Sequence, residues 1–179
     1  FAVIAVFSLL LFSCGKSDTS YTKVTVEPVG ALFPITGPQA DAGKNLVAAI
    51  QTSAVDANAY LATIGSTMRV SVYIKDAGDT STTLLDKVQQ LKASGVRFII
   101  GPKTSSELAE IKDYVNQNDM VILSPSSTAP SLAIANDNIF RFAPTDVLQA
   151  NALAQKMGEA GVKAIVVLYR NDIWGKDLL

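Results

Sequence analysis

The spacing of apolar residues changes period repeatedly along this chain, and each change marks an element. Residues 1–12 are almost unbroken apolar (FAVIAVFSLLLF), and a polar stretch, 15–22, follows. Residues 23–33 contain VTVEPVGALF, rich in β-branched side chains, and predict a strand with Pro28 as an irregularity or an edge feature. Residues 41–64 are Ala-rich, with no proline and no glycine after Gly43, which predicts a long helix. Residues 68–75 (MRVSVYIK) alternate at the two-residue period of a strand. Across 80–94, Leu84, Leu85, Val88 and Leu91 form a stripe at helical spacing. The order then recurs, with a short buried strand at 96–100 and a helix at 104–118 that places Leu108, Ile111 and Val115 on one face. A strand at 120–123, a Ser/Pro loop, a short helix near 131–135 and a strand at 139–142 come next. A helix at 146–160 closed by Gly161 leads to a last strand, AIVVLY, at 164–169. Strands and helices alternating at this spacing argue for the α/β class with a doubly wound parallel sheet.

Composition narrows the chemistry. Of 179 residues 49% are hydrophobic, enough for one domain or parts of two. The net charge of −1, with no run of like charges, gives no basic face for nucleic acid. There is no histidine, which excludes Ser-His-Asp and Cys-His catalysis and every His-based metal site within these residues. Gly43-Lys44-Asn45 and Gly175-Lys176-Asp177 both lack the Ser or Thr that a P-loop needs, and no GxGxxG fingerprint or GxSxG elbow is present. No cofactor and no metal are therefore expected.

The single cysteine, Cys14, has no internal disulfide partner. It follows an apolar run too short for a membrane span and suited to a signal-peptide core. The run resembles a bacterial lipoprotein signal. Leu11, Ser13 and Cys14 fit its cleavage pattern, and Phe12 is bulkier than usual at its position. Residues 1–13 then read as a signal peptide clipped at its start, and 14–22 as a lipidated cysteine with its linker. The lipid would anchor the chain to a membrane. The run from Trp174 to Leu179 reads as the opening of a further helix.

In open parallel sheets, ligands sit beyond the carboxyl ends of the strands. The segments there are FPITGP (33–38), Asp76-Ala77-Gly78, GPKTSS (101–106) and SPSST (124–128). Two of the four carry clustered hydroxyls. Thr104 and Glu107 have capping-box spacing, which would put Ser105 and Ser106 in the first turn of a helix, where free amides and the positive dipole end favour a carboxylate. Ser126 and Thr128 lie in the neighbouring loop. Taken singly, each serine is more simply a cap or turn former; two hydroxyl loops after neighbouring strands favour a shared site. Asp76 reads as a brace of its turn rather than a ligand group, and Arg141 as a structural hydrogen-bond donor. Trp174, beside Gly175 and flanked by Asn171 and Asp172, reads as an exposed stacking surface.

From about residue 23 to the end, the order FPITGP, Ala-rich helix, strand ending in Asp76, FIIGP, ILSPSSTAP, FRFAPTD and LYRNDIWGKD resembles the type I periplasmic binding proteins of the branched-chain amino acid group. The resemblance implies two α/β lobes that close on ligand about a hinge. Residues 23–145 would form most of lobe 1, and 146–179 the start of lobe 2. It implies that Ser105 contacts a ligand carboxylate, that the Ser126 carbonyl receives an ammonium, that Thr128 touches both, and that Trp174 covers the ligand where the family often has tyrosine. Ala42 departs from the aromatic that often precedes the glycine at 43, which weakens any claim to leucine specificity. The acidic partner of the ligand ammonium would lie beyond Leu179. Lobe 1 would recover strands from after lobe 2, so an open sheet edge is expected.

The function so implied is a lipid-anchored extracytoplasmic receptor that delivers a small polar ligand, an amino acid above all, to the permease subunits of an ABC importer. A lipoprotein sensor or cell-envelope regulator would use the same fold. An enzyme with Ser105 or Ser126 as nucleophile would need a base, and without histidine that would be Lys103 or a residue beyond this sequence.

Overall fold

The computed structural model describes residues 23–179; the signal-like segment and Cys14 lie outside them. Five strands form one parallel sheet. They are β1 (Thr25–Phe33), β2 (Met68–Asp76), β3 (Phe98–Ile100), β4 (Val121–Ser124) and β5 (Ile139–Arg141), in the order β2-β1-β3-β4-β5. The helices are α1 (Ala40–Thr63), α2 (Leu84–Ala93), α3 (Ser105–Gln117), α4 (Val147–Glu159) and the short α5 (Ile173–Asp177).

Side-chain parity shows how the sheet is covered. Leu32, Ile99 and Ile122 are fully buried in one cluster with Val88 and Leu91 of α2 and Leu108, Ile111 and Val115 of α3. Their neighbours in sequence point to the other face. There α1 packs on β1 and β2, while Phe98 and Phe140 remain open. Right-handed crossovers in opposite directions from β1 and β2 put α1 and α2 on opposite faces, the meaning of doubly wound.

Two capping boxes set where the helices of the main core begin. Thr83 accepts from the Asp86 amide at 3.0 Å, and Thr104 accepts from the Glu107 amide at 3.2 Å. The stripe predicted from residue 80 accordingly turns helical only at Leu84, because Thr83 is the cap.

Other expectations shift for physical reasons. Pro28 lies in an interior strand, not an edge. It is tolerated because β3 pairs only with Val29–Ala31, so the missing N–H costs no bond to β3. The strand expected from residue 96 starts at Phe98, with Val96 buried as a core side chain instead. The helix expected near 131–135 is a single 3-10 turn, Pro130–Leu132. The strand expected at 164–169 belongs to no ladder. It finds no partner strand among the described residues, and Val166 and Leu168 are 92% and 95% exposed.

Helix α1 lies close to the chain leaving β1. A β-carbon on Gly43 would stand 1.7 Å from the Pro34 carbonyl oxygen, so no larger residue fits without moving the helix. Gly43→Ala is expected to destabilise by about 3 kcal/mol, the upper range for overpacking. Gly158→Ala in α4, where a β-carbon would meet nothing within 4 Å, is expected to be neutral or to stabilise by about 0.5–1 kcal/mol. Denaturant melts of the two variants compare them directly.

Candidate functional site

The strand order reverses direction between β1 and β3, which makes the carboxyl ends of those strands the natural crevice of this sheet. The segments leaving them meet there. Lys103, two residues beyond Gly101, donates from Nζ to Gln39 Oε1 at 2.5 Å. Beside this bridge is a cleft of about 150 Å³ lined by Lys103, Thr104, Ser105, Ser126, Arg170 and Trp174.

The start of α3 forms one wall. Glu107 closes its cap by accepting from the Thr104 amide at 2.8 Å, and the amides of Ser105 and Ser106 make no hydrogen bond among the described residues. The two amides and the dipole make this wall electropositive. The Ser105 hydroxyl, by contrast, is taken up in packing. Only 3% exposed, it pairs with Ser127 Oγ at 3.1 Å and accepts from the Ala129 amide at 3.3 Å. Ser127 and Ser124 are fully buried, and Ser124 Oγ donates to the Pro102 carbonyl at 3.3 Å while accepting from the Ser127 amide at 3.3 Å. A line of hydroxyls thus knits the loop after β3 to the loop after β4. What Ser105 presents to the cleft is its backbone, not its side chain.

Ser126 is exposed and fixes the same pair of loops by donating to the Lys103 carbonyl at 2.6 Å. Thr128 Oγ1 donates to Asp146 Oδ2 at 2.7 Å and accepts from Trp174 Nε1 at 3.1 Å. Asp146 is 5% exposed and has this hydroxyl as its side-chain partner. Trp174 is half-buried rather than fully exposed, with the Arg170 guanidinium 4.9 Å from its ring centroid. Ser106 Oγ donates to Asp172 Oδ2 at 3.2 Å. The Gly175 amide, at the start of α5, holds the Asp172 carboxyl below its usual pKa, with partial burial opposing and Arg170 and Ser106 assisting.

Ser105, Ser126 and Trp174, picked out from sequence, therefore line one cleft, with Thr128 and Ser106 bonded to its walls. Sequence reasoning passed over Gln39, Asp146 and Arg170, and named Lys103 only as the base that an enzyme would need. Lys103 carried a signal, as the one cation in the segments FPITGP, Asp76-Ala77-Gly78, GPKTSS and SPSST. Asp76 and Arg141 hold the structural roles expected of them. Arg141 Nη1 donates to the Ala129 carbonyl at 2.6 Å. Asp76 accepts from the Ile35 and Gly78 amides, each at 2.8 Å, and from the Thr36 hydroxyl at 2.6 Å. A larger groove of about 480 Å³ runs along the loop after β2, past Asp86, Glu107 and Glu110. Asp86, Glu107 and Glu110 accept there from the amides of Thr83, Thr104 and Leu84 at helix starts, and Asp79, also in its wall, is held by the amide and hydroxyl of Ser81.

Residues 28–179 match the family profile described as periplasmic binding protein. The chain belongs to the periplasmic binding protein family. An uncharacterized protein of Methanocaldococcus jannaschii, MJ1266, is 33% identical over 98% of this chain and 45% of its own length. The Leu/Ile/Val-binding protein homolog 3 of Brucella melitensis is 25% identical over 92% of this chain and 44% of its own. Among solved structures, an ABC-transporter solute-binding protein of Rhodopseudomonas palustris in complex with 3,4-dihydroxybenzoic acid superposes with a TM-score of 0.69. It is 20% identical, with 86% of this chain and 41% of that one covered. The chain spans less than half the length of the relatives it matches. As a periplasmic binding protein it has the parallel α/β sheet of type I members.

Asp76 supplies a pH test. Partial burial pushes its pKa up, but the Thr36 hydroxyl and the Ile35 and Gly78 amides outweigh that and hold it below the ordinary carboxylate value. A carboxyl depressed in the folded state stabilises above its unfolded pKa of about 4, and that stability disappears as pH falls through the folded value. Asp76→Asn is expected to cost about 1–3 kcal/mol at pH 7. It should also flatten the loss of melting temperature that the parent shows on acidification below about pH 4.

Proposed function

We propose that this chain is part of an extracytoplasmic solute-binding lipoprotein of an ABC importer, which holds a small polar ligand in the cleft between two lobes. The observation that carries this reading is the cleft at the β1–β3 reversal. Free amides at the start of α3, the Ser126 loop and the Trp174 ring converge there. A ligand carboxylate suits the amides of Ser105 and Ser106 and gains from the helix dipole. The Ser126 carbonyl faces the ligand's other polar group, Thr128 contacts both, and Trp174 covers the ligand from the second lobe.

Residues 23–145 form most of lobe 1 and 146–179 open lobe 2, with ligand shifting the population from open to closed. Amino acids are the first ligand class, in keeping with the Leu/Ile/Val-binding name of the Brucella relative. The aromatic acid bound by the Rhodopseudomonas protein marks carboxylates more broadly. Among the described residues no helix is long and apolar enough to cross a membrane. The attachment in this reading is lipid on Cys14.

Two measurements test the proposal. Calorimetric titration of the whole protein with an amino-acid and carboxylate panel should find micromolar or tighter binding without turnover. Trp174→Ala should weaken it roughly 10- to 100-fold, the loss expected when a buried ring worth about 1.5–3 kcal/mol is removed. No binding across the panel, or binding indifferent to Trp174, would reject the site. Separately, Cys14→Ser should move the protein from the membrane fraction to the soluble fraction and abolish incorporation of labelled fatty acid.

A further inference from the structure

The charges around the cleft are unequal, and the inequality bears on what it holds. Two of its six lining residues, Lys103 and Arg170, are cationic, and none is acidic. Arg170 is already paired, its guanidinium meeting Asp172 in the next turn. Lys103 is different. Its Nζ is held by the neutral amide oxygen of Gln39, and no carboxylate lies within ion-pair distance of it among the described residues.

The nearby acids are committed elsewhere. Glu107 closes the α3 cap, Asp172 binds Arg170, Gly175 and Ser106, and Asp146 lies buried behind Thr128. Among the described residues, the field reaching a ligand here comes from a partly buried ammonium that has no carboxylate partner among them, together with the free amides and dipole of α3. All of these favour negative charge. A ligand ammonium entering the same space would meet like charge on Lys103.

Resting on the reading of this cleft as the ligand site, we infer that Lys103 is a specificity-determining residue. Through it the cleft selects small carboxylates of net negative charge over zwitterions of the same shape. Gln39 is its positioning partner, reaching across the β1–β3 reversal to aim the ammonium along the cleft.

The test is titration of the whole protein with pairs matched in shape and differing in charge: glutamate against glutamine, 4-methylpentanoate against leucine, and 3-phenylpropanoate against phenylalanine. In every pair that binds, the net anion should be at least about tenfold tighter, and Lys103→Met should weaken that anion by roughly 10- to 100-fold, as for one charge-assisted contact. The same change should alter binding of the neutral partner by less than about threefold, while Lys103→Arg keeps the preference and Lys103→Gln loses it. Added salt should weaken the anions selectively. Tighter binding of the zwitterions, or an unchanged charge preference in Lys103→Met and Lys103→Gln, overturns the inference and leaves the receptor reading standing. Failure of every compound to bind overturns both.

Discussion

The short segment that leaves β1, from Pro34 to Gln39, is the place on which the remaining geometry depends. Its amides at Ile35 and Thr36 are satisfied by one carboxylate, Asp76, which closes the neighbouring strand. On another side α1 presses on it so closely that only glycine fits at position 43. Because the backbone there is fixed from two directions, Gln39 has a defined position and can hold Lys103 across the reversal of strand order. Loosening this segment would free Gln39 and with it the Lys103 ammonium that it holds.

Hydroxyl groups do two different jobs around that cleft, and burial separates them. Ser124, Ser127 and the Ser105 side chain are dehydrated and satisfy one another, so they act as internal polar links between two loops. Polar groups buried at such a junction must be paired or they cost more than they contribute. Ser126, Ser106 and Thr128 lie nearer the surface and tie the loops to the backbone of Lys103, to Asp172 and to Asp146 and Trp174. Ser106 and Thr128 are therefore also the ties between the main sheet and the segment carrying α5. The Ser131 amide, which donates to Asp177 Oδ2 at 2.8 Å, and Ile173, which packs against the core, join the same two parts.

Residue patterns with a local cause were legible. The stripes Leu84–Val88–Leu91 and Leu108–Ile111–Val115 became buried helix faces, and the Thr104–Glu107 spacing became a working cap. Where the cause was a neighbour distant in sequence, the reading slipped. AIVVLY has every strand preference, but a strand needs a ladder partner, and none lies beside it among the described residues. Pro28 read as an irregularity or an edge feature, and the sequence does not reveal that β3 is short enough to leave it unpaired on that side of an interior strand. Ser105 was expected to meet a ligand carboxylate through hydroxyl and backbone, and the pairing of its hydroxyl with Ser127, 22 residues away, was not visible in the sequence.

By itself, the sequence determined the α/β class, the capped start of α3 and the hydroxyl loops that border the cleft, and its lack of histidine removes histidine chemistry from these residues. These follow from periodicity, capping and composition, which act over a few residues. The tertiary structure decided which loops face one another, which hydroxyls are consumed in packing, and that Lys103 stands in the cleft with a neutral partner. Those outcomes depend on strand order and on contacts between residues far apart in the chain. Charge compensation is likewise a property of neighbours in space, which spacing along one chain does not encode.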